Sequence, residues 1–69
     1  MTPVTLRLHA LRERRGLSQA ELARRSGVSQ ATISRIEAGK TRGVDLDTLD
    51  RLARALGVGP RSLLASSKG

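Results

Sequence analysis

The sequence contains no cysteine, phenylalanine, tyrosine or tryptophan, and only one histidine, one methionine and two prolines in 69 residues. Each absence excludes something. Without cysteine there is neither a disulfide framework nor a thiolate zinc site, and His9 alone cannot supply the missing ligands, so no metal and no cofactor is expected. RNA-recognition sheets and single-strand grooves hold bases by stacking them on aromatic rings, so a basic chain without such rings must read duplex shape or groove edges. No apolar run approaches the roughly 18 residues of a membrane span, and the first residues lack the basic start and apolar stretch of a signal peptide. The expected location is therefore the cytoplasm, with no membrane partner. A chain of this length makes one domain, and one that buries only about 60% of the surface its unfolded form exposes.

What the sequence does have is positive charge: 13 Lys and Arg against 6 Asp and Glu, net +7, with eleven of the thirteen being Arg. A guanidinium forks onto phosphates and guanine edges where an ammonium acts as a point charge. Residues 1–43 hold nine basic and three acidic residues, net +6, whereas residues 44–69 hold four and three, net +1. Charge alone leaves a solvated arginine-rich surface as the plain alternative, because net charge bears on solubility and non-specific binding rather than on fold.

The apolar residues recur at helical spacing. Val4, Leu8 and Leu11 predict a first helix from Val4 to about Arg15, closed by Gly16. Ser18 and Glu21 read as a capping box preceded by apolar Leu17, opening a second helix at Gln19 that runs to about Ser26 and stops at Gly27. Ser29 caps a third helix whose Ile33 and Ile36 share a face, with Gly39 after it. Residues 40–44 read as a loop. Asp45 caps a fourth helix with a stripe of Leu46, Leu49, Leu52, Ala53 and Leu56 ending at Gly57. Pro60 suits the first turn of a brief fifth helix carrying Leu63 and Leu64. No strand pattern appears, so the expected fold is all-α, five short helices over residues 1–65, with 66–69 a flexible tail.

Within this frame Leu22 and Ala23, then Gly27 and Val28, then Ile33 and Ile36 are spaced as two helices crossing closely over a tight turn, at about residues 19–38. The phrases Leu-Ser-Gln-Ala-Glu-Leu-Ala at 17–23, Ile-Ser-Arg-Ile-Glu-Ala-Gly-Lys at 33–40 and Leu-Ala-Arg-Ala-Leu-Gly-Val at 52–58 resemble the phage-repressor and Cro-like helix-turn-helix family, also called the XRE family. The resemblance extends from about Leu6 to Leu64. It implies a compact five-helix, lambda-repressor-like domain in which the third helix enters the major groove of duplex DNA.

With Ile33 and Ile36 assigned to the core, the outward positions are Ser29, Gln30, Ala31, Ser34 and Arg35. Gln30 can make the paired hydrogen bonds that suit adenine, Arg35 those that suit guanine, and Ala31 can touch a thymine methyl. Gln30, Ala31, Ser34 and Arg35 are thus the expected base contacts. For Gln30 and Ser34 the plain alternative is solvated surface, and for Arg35 a salt bridge to a neighbouring acid. The resemblance implies that Gln19 grips a phosphate at the start of the second helix, and Ser29 is expected to do likewise. Thr32 faces either a phosphate or the first helix. Lys40 and Arg42, in the loop after the reading helix, are assigned to phosphate or minor-groove contacts, against the alternative of a flexible solvated loop. The resemblance also implies that Arg12 pairs with Glu37 as a structural ion pair outside the binding account.

The function implied is a sequence-specific duplex-DNA-binding transcriptional regulator in a prokaryote or phage. It would be a repressor on a palindromic operator, acting as a homodimer whose contacts include Val58, Pro60 and Leu63. A DNA-binding antitoxin that also binds a toxin protein is the alternative. A hydrolase using Ser29, His9 and Asp45 lacks any nucleophile elbow, phosphate loop or paired metal ligands, so no enzyme is expected.

Overall fold

Helix boundaries in this chain are written by small polar residues at one end and glycine at the other. The computed structural model describes residues 4–40, 44–59 and 62–63, with side chains from Arg7 onward. Among them are four helices: α1 (Val4–Arg14), α2 (Gln19–Ser26), α3 (Gln30–Glu37) and α4 (Leu46–Leu56). Three open on a side-chain cap in extended conformation. The Ser18 hydroxyl accepts from the Glu21 amide at 3.0 Å, Ser29 from Thr32 at 3.1 Å, and Asp45 from Thr48 at 3.2 Å. Each satisfies an amide that the first turn leaves without an intrahelical partner. The Asp45 carboxyl lies below its ordinary range, held there by its hydrogen bonding to Thr48. The return arm of the capping box expected at Glu21 is not among the described hydrogen bonds. Its carboxylate instead lies 3.6 Å from Arg24 Nη2.

α2 stops at Gly27, whose φ of +77° is the left-handed conformation that β-carbons disfavour, and whose amide donates to the Ala23 carbonyl at 2.9 Å. The chain then reverses through Val28 into α3. α1 ends one residue before the expected Arg15, which sits in the turn with its amide still reaching Leu11 and Arg12 carbonyls. Such a shift is ordinary fraying at a helix end.

Packing follows a simple wiring: α1 lies on α3, and α2 lies on both α3 and α4. Leu8, Leu22, Ile33, Ile36, Leu52 and Leu56 are at most 1% exposed and form the centre where these faces meet. Full burial of a residue of this size is worth about 1.5–3 kcal/mol, so the centre carries most of the stability of a small domain. Two expectations about this core are corrected. Leu46, expected in the α4 stripe, is 81% exposed, because it is the first residue of α4 and lies outside the buried cluster. Leu63, expected at a dimer contact, is fully buried in the chain's own core.

Of the expected fifth helix, Ser62 and Leu63 are described and helical, with the Ser62 amide donating to the Gly59 carbonyl at 2.9 Å. Pro60, Leu64 and the expected tail at 66–69 lie outside the described residues. The Arg7 Nε donates to the Ser62 carbonyl at 3.0 Å, joining the first helix to this last described turn. No described helix is long and apolar enough to cross a membrane.

Candidate nucleic-acid interface

The inward face of α3 is taken up by Ile33 and Ile36, so the opposite side of the helix turns outward. Gln30, Ala31, Ser34 and Arg35 are all exposed. Arg35 has no acidic partner among the described residues, which sets aside the salt-bridge alternative for it there; Arg12, Arg24, Arg51 and Arg54 each sit beside a carboxylate. Thr32 is half-buried at the edge of this face. Its Oγ1 accepts from the Ser29 hydroxyl at 2.9 Å, which leaves the Thr32 proton to donate outward.

Lys40 follows α3 after Ala38 and Gly39. Its amide donates to the Arg35 carbonyl at 3.0 Å across Gly39, whose φ is +73°, so the exposed lysine is fixed to the end of α3. Arg42 lies outside the described residues.

Behind this surface is a largely buried polar cluster. The Arg12 guanidinium forks onto Glu37, Nε to Oε2 at 2.8 Å and Nη2 to Oε1 at 3.0 Å, while its Nη1 donates to the Leu17 carbonyl at 2.8 Å. The Arg12 and Glu37 side chains are 12% and 6% exposed. The expected ion pair is therefore present in the geometry. Gln19 Nε2 donates to the same Glu37 Oε1 at 3.0 Å, and His9 Nδ1 lies 3.2 Å from it. Burial is the largest single influence on Glu37 and opposes its ionisation. Hydrogen bonds from Arg12, Gln19 and His9, with the charge of Arg12, together outweigh it and hold the carboxyl below its ordinary range. The hydrogen bond to Glu37 correspondingly raises Arg12, against desolvation.

Two members of this cluster escape sequence reasoning. Gln19 appears there only as a phosphate ligand, and His9 only as a lone histidine and a member of the rejected hydrolase set. A signal for His9 exists: it stands three residues before Arg12 and four before Glu13, which puts all three on one side of α1. Its Nε2 lies 3.3 Å from Glu13 Oε2.

Residues 8–63 match the family model HTH_3, described as helix-turn-helix. The chain belongs to this helix-turn-helix family. Over 67 residues it is 40% identical to a protein of Bacillus subtilis (strain 168) described as the uncharacterized HTH-type transcriptional regulator RghRB. That match covers 97% of this chain and 48% of the relative, so the chain spans about half the length of that relative. Among solved structures, the SinR protein/SinI protein complex superposes with a TM-score of 0.87 at 27% identity, covering 91% of this chain and 61% of that one. The restriction-modification controller protein C.AhdI from Aeromonas hydrophila superposes with a TM-score of 0.81 at 40% identity, covering 87% and 89%. Membership of a helix-turn-helix family sets the hydrolase reading aside. The residues named for it are occupied otherwise, since Ser29 caps α3, Asp45 caps α4, and His9 sits between two glutamates.

Proposed function

We propose that this helix-turn-helix domain binds duplex DNA sequence-specifically and acts as a transcriptional regulator, a repressor on a palindromic operator. The observation that carries the reading is the row of Gln30, Ala31, Ser34 and Arg35, exposed along one side of a helix whose other side is locked into the core by Ile33 and Ile36. Those four read base edges in the major groove. Gln19, Ser29, Thr32, Lys40 and Arg42 hold phosphates, with Lys40 placed directly behind the reading helix. Two copies of the chain on half-sites about 34 Å apart would present both reading helices to successive major grooves. With Leu63 spent on the core, Val58 and Pro60 remain for the contact between copies. The domain works in the cytoplasm, on the nucleoid.

The test is selection of bound duplexes from a random pool at fixed salt. An enriched two-fold motif is expected, and enrichment of none would overturn specific recognition. On the winning duplex, Arg35→Ala should relax preference at one base pair at a cost of about 1–3 kcal/mol, and Lys40→Ala should weaken all sequences alike. Equal effects of both variants on all sequences would refute this division of labour. The antitoxin reading has one support, that a neighbouring solved structure is a complex of two proteins. It predicts that the chain copurifies with a toxin encoded beside it.

A further inference from the structure

We infer that Glu37 is a positioning residue for DNA binding: its buried carboxylate aims the Gln19 amide so that one N–H is held inward and the other is presented to a phosphate. This rests on the DNA-binding reading, and it gives a part in binding to a residue otherwise left to folding alone.

A glutamine side-chain nitrogen carries two donors that diverge in the plane of the amide, and its oxygen carries none. A free glutamine near the start of a helix rotates, and can turn its oxygen toward a phosphate as readily as its nitrogen. Here the rotation is stopped. Gln19 Nε2 is 3.0 Å from Glu37 Oε1. Only the nitrogen can face that atom, because the amide oxygen would set one acceptor against another. Once the first proton is committed to Glu37, the second points elsewhere. Gln19 is half-buried and is the first residue of α2, so the free donor emerges at the helix end where the backbone amides also lack intrahelical partners.

A carboxylate close to a phosphate ligand would ordinarily repel the anion. Glu37 does so little, because Arg12 covers it with two hydrogen bonds of 2.8 and 3.0 Å from a guanidinium that is itself 12% exposed. Arg12 is tied to the Leu17 carbonyl, two residues before Gln19, so the same cation fixes both the backbone entering α2 and the carboxylate that orients its first side chain. The remaining group at Oε1 is His9 Nδ1 at 3.2 Å, on the α1 side. Through Glu37, the last residue of the reading helix and the first residue of α2 are held as one piece.

A double-variant comparison tests this. Affinity for the selected duplex is measured across salt concentrations for the unaltered chain, Gln19→Ala, Glu37→Ala and the double variant, at a temperature where circular dichroism shows all four folded. Gln19→Ala should weaken every sequence alike and leave the slope of log affinity against log salt unchanged, because a neutral amide neutralises no phosphate and releases no counterion. Glu37→Ala, which removes the acceptor altogether, should also weaken binding without altering base preference, and adding Gln19→Ala to it should then change the affinity less than half as much as in the unaltered chain. If Gln19→Ala multiplies Kd by the same factor in both backgrounds, or by about one in the unaltered chain, Glu37 does not position it and the inference fails while the functional reading stands. If the unaltered chain selects no duplex, the functional reading itself fails. Should Glu37→Ala not fold, the side-chain amide protons of Gln19 in the unaltered chain answer by NMR. One should be hydrogen-bonded before DNA is added and the other should shift on addition; two solvent-like protons in the free protein would overturn the inference.

Discussion

Replacing Glu37 by glutamine keeps the shape of the side chain and removes a charge from a group only 6% exposed. Its carboxylate accepts two hydrogen bonds from Arg12 and one from Gln19, and an amide can accept at only one of its two terminal atoms. Arg12 donates to both oxygens, so either way round the amide sets its N–H groups against a guanidinium nitrogen and leaves that cation, 12% exposed, without its counter-charge. Hydrogen bonds involving a charged group are worth about 1.5–3 kcal/mol each, but they cannot simply be summed, because Arg12 keeps its bond to the Leu17 carbonyl and regains some water. Breaking one side of a buried pair costs about 3–5 kcal/mol. The residual exposure of Arg12 puts this case at about 3 kcal/mol, the lower end of that range. A chain of this length has a total stability on the order of 3–10 kcal/mol. The loss is thus about 30% of it or more, corresponding to a fall in Tm of roughly 12–24 °C at about 4–8 °C per kcal/mol. Thermal and urea unfolding followed by far-ultraviolet circular dichroism measures it. Glu13→Gln is the control, since that side chain is 63% exposed and its contact with His9 is worth little. Melting of the two variants within about 2 °C of each other would refute the reasoning, because it would mean that the Glu37 pair is solvated like a surface pair.

The lowered Glu37 carboxyl gives a pH signature: its contribution is complete above the ordinary carboxylate range and is lost as pH falls through the depressed folded value. Stability of the unaltered chain should accordingly drop more steeply on acidification than that of Glu37→Gln, and parallel profiles would contradict the shift. Leu52→Ala, at a position with no exposure, should cost about 2–5 kcal/mol in urea unfolding, whereas Leu46→Ala should stay within about 0.5 kcal/mol; equal costs would contradict the core boundary. Gly27→Ala should destabilise by about 1–2 kcal/mol through its φ of +77°, with a further penalty because the new β-carbon would lie 3.0 Å from Arg51 Nη1. Adding Arg51→Ala should relieve only the second part, and full recovery in the double variant would show that backbone strain is unimportant there.

The helix boundaries were legible because their signals are local. Ser18, Ser29 and Asp45 cap amides three residues away, and glycines in the left-handed conformation follow the helices at 16, 27, 39 and 57. The outward row on α3 was legible for a related reason: Ile33 and Ile36 fix the inward direction, and the rest follows from about 3.6 residues per turn. Periodicity failed at Leu46 because a helical stripe tells which side is apolar but not where the neighbouring helix ends. It failed at Leu63 because a short apolar turn after α4 fits a partner's surface as well as its own core. Family likeness supplied the Arg12–Glu37 pairing. The placement of Gln19 and His9 on one carboxylate oxygen depends on how α1, α2 and α3 meet, which no spacing along a single helix encodes.

The Arg7 bond to the Ser62 carbonyl has a topological consequence. α1 packs on α3, α3 on α2 and α2 on α4, and this bond adds a tie from α1 to the turn that follows α4. The first and last described helical turns are therefore spatial neighbours. A short peptide joining those ends, with the chain reopened at the exposed Gly16 turn, would give a circular permutant that retains the packed helices, since relinking is best tolerated where ends meet and turns are exposed. In that permutant α3 would lie early in the chain and α1 would be made last, so folding order could be varied while the exposed row on α3 stayed the same.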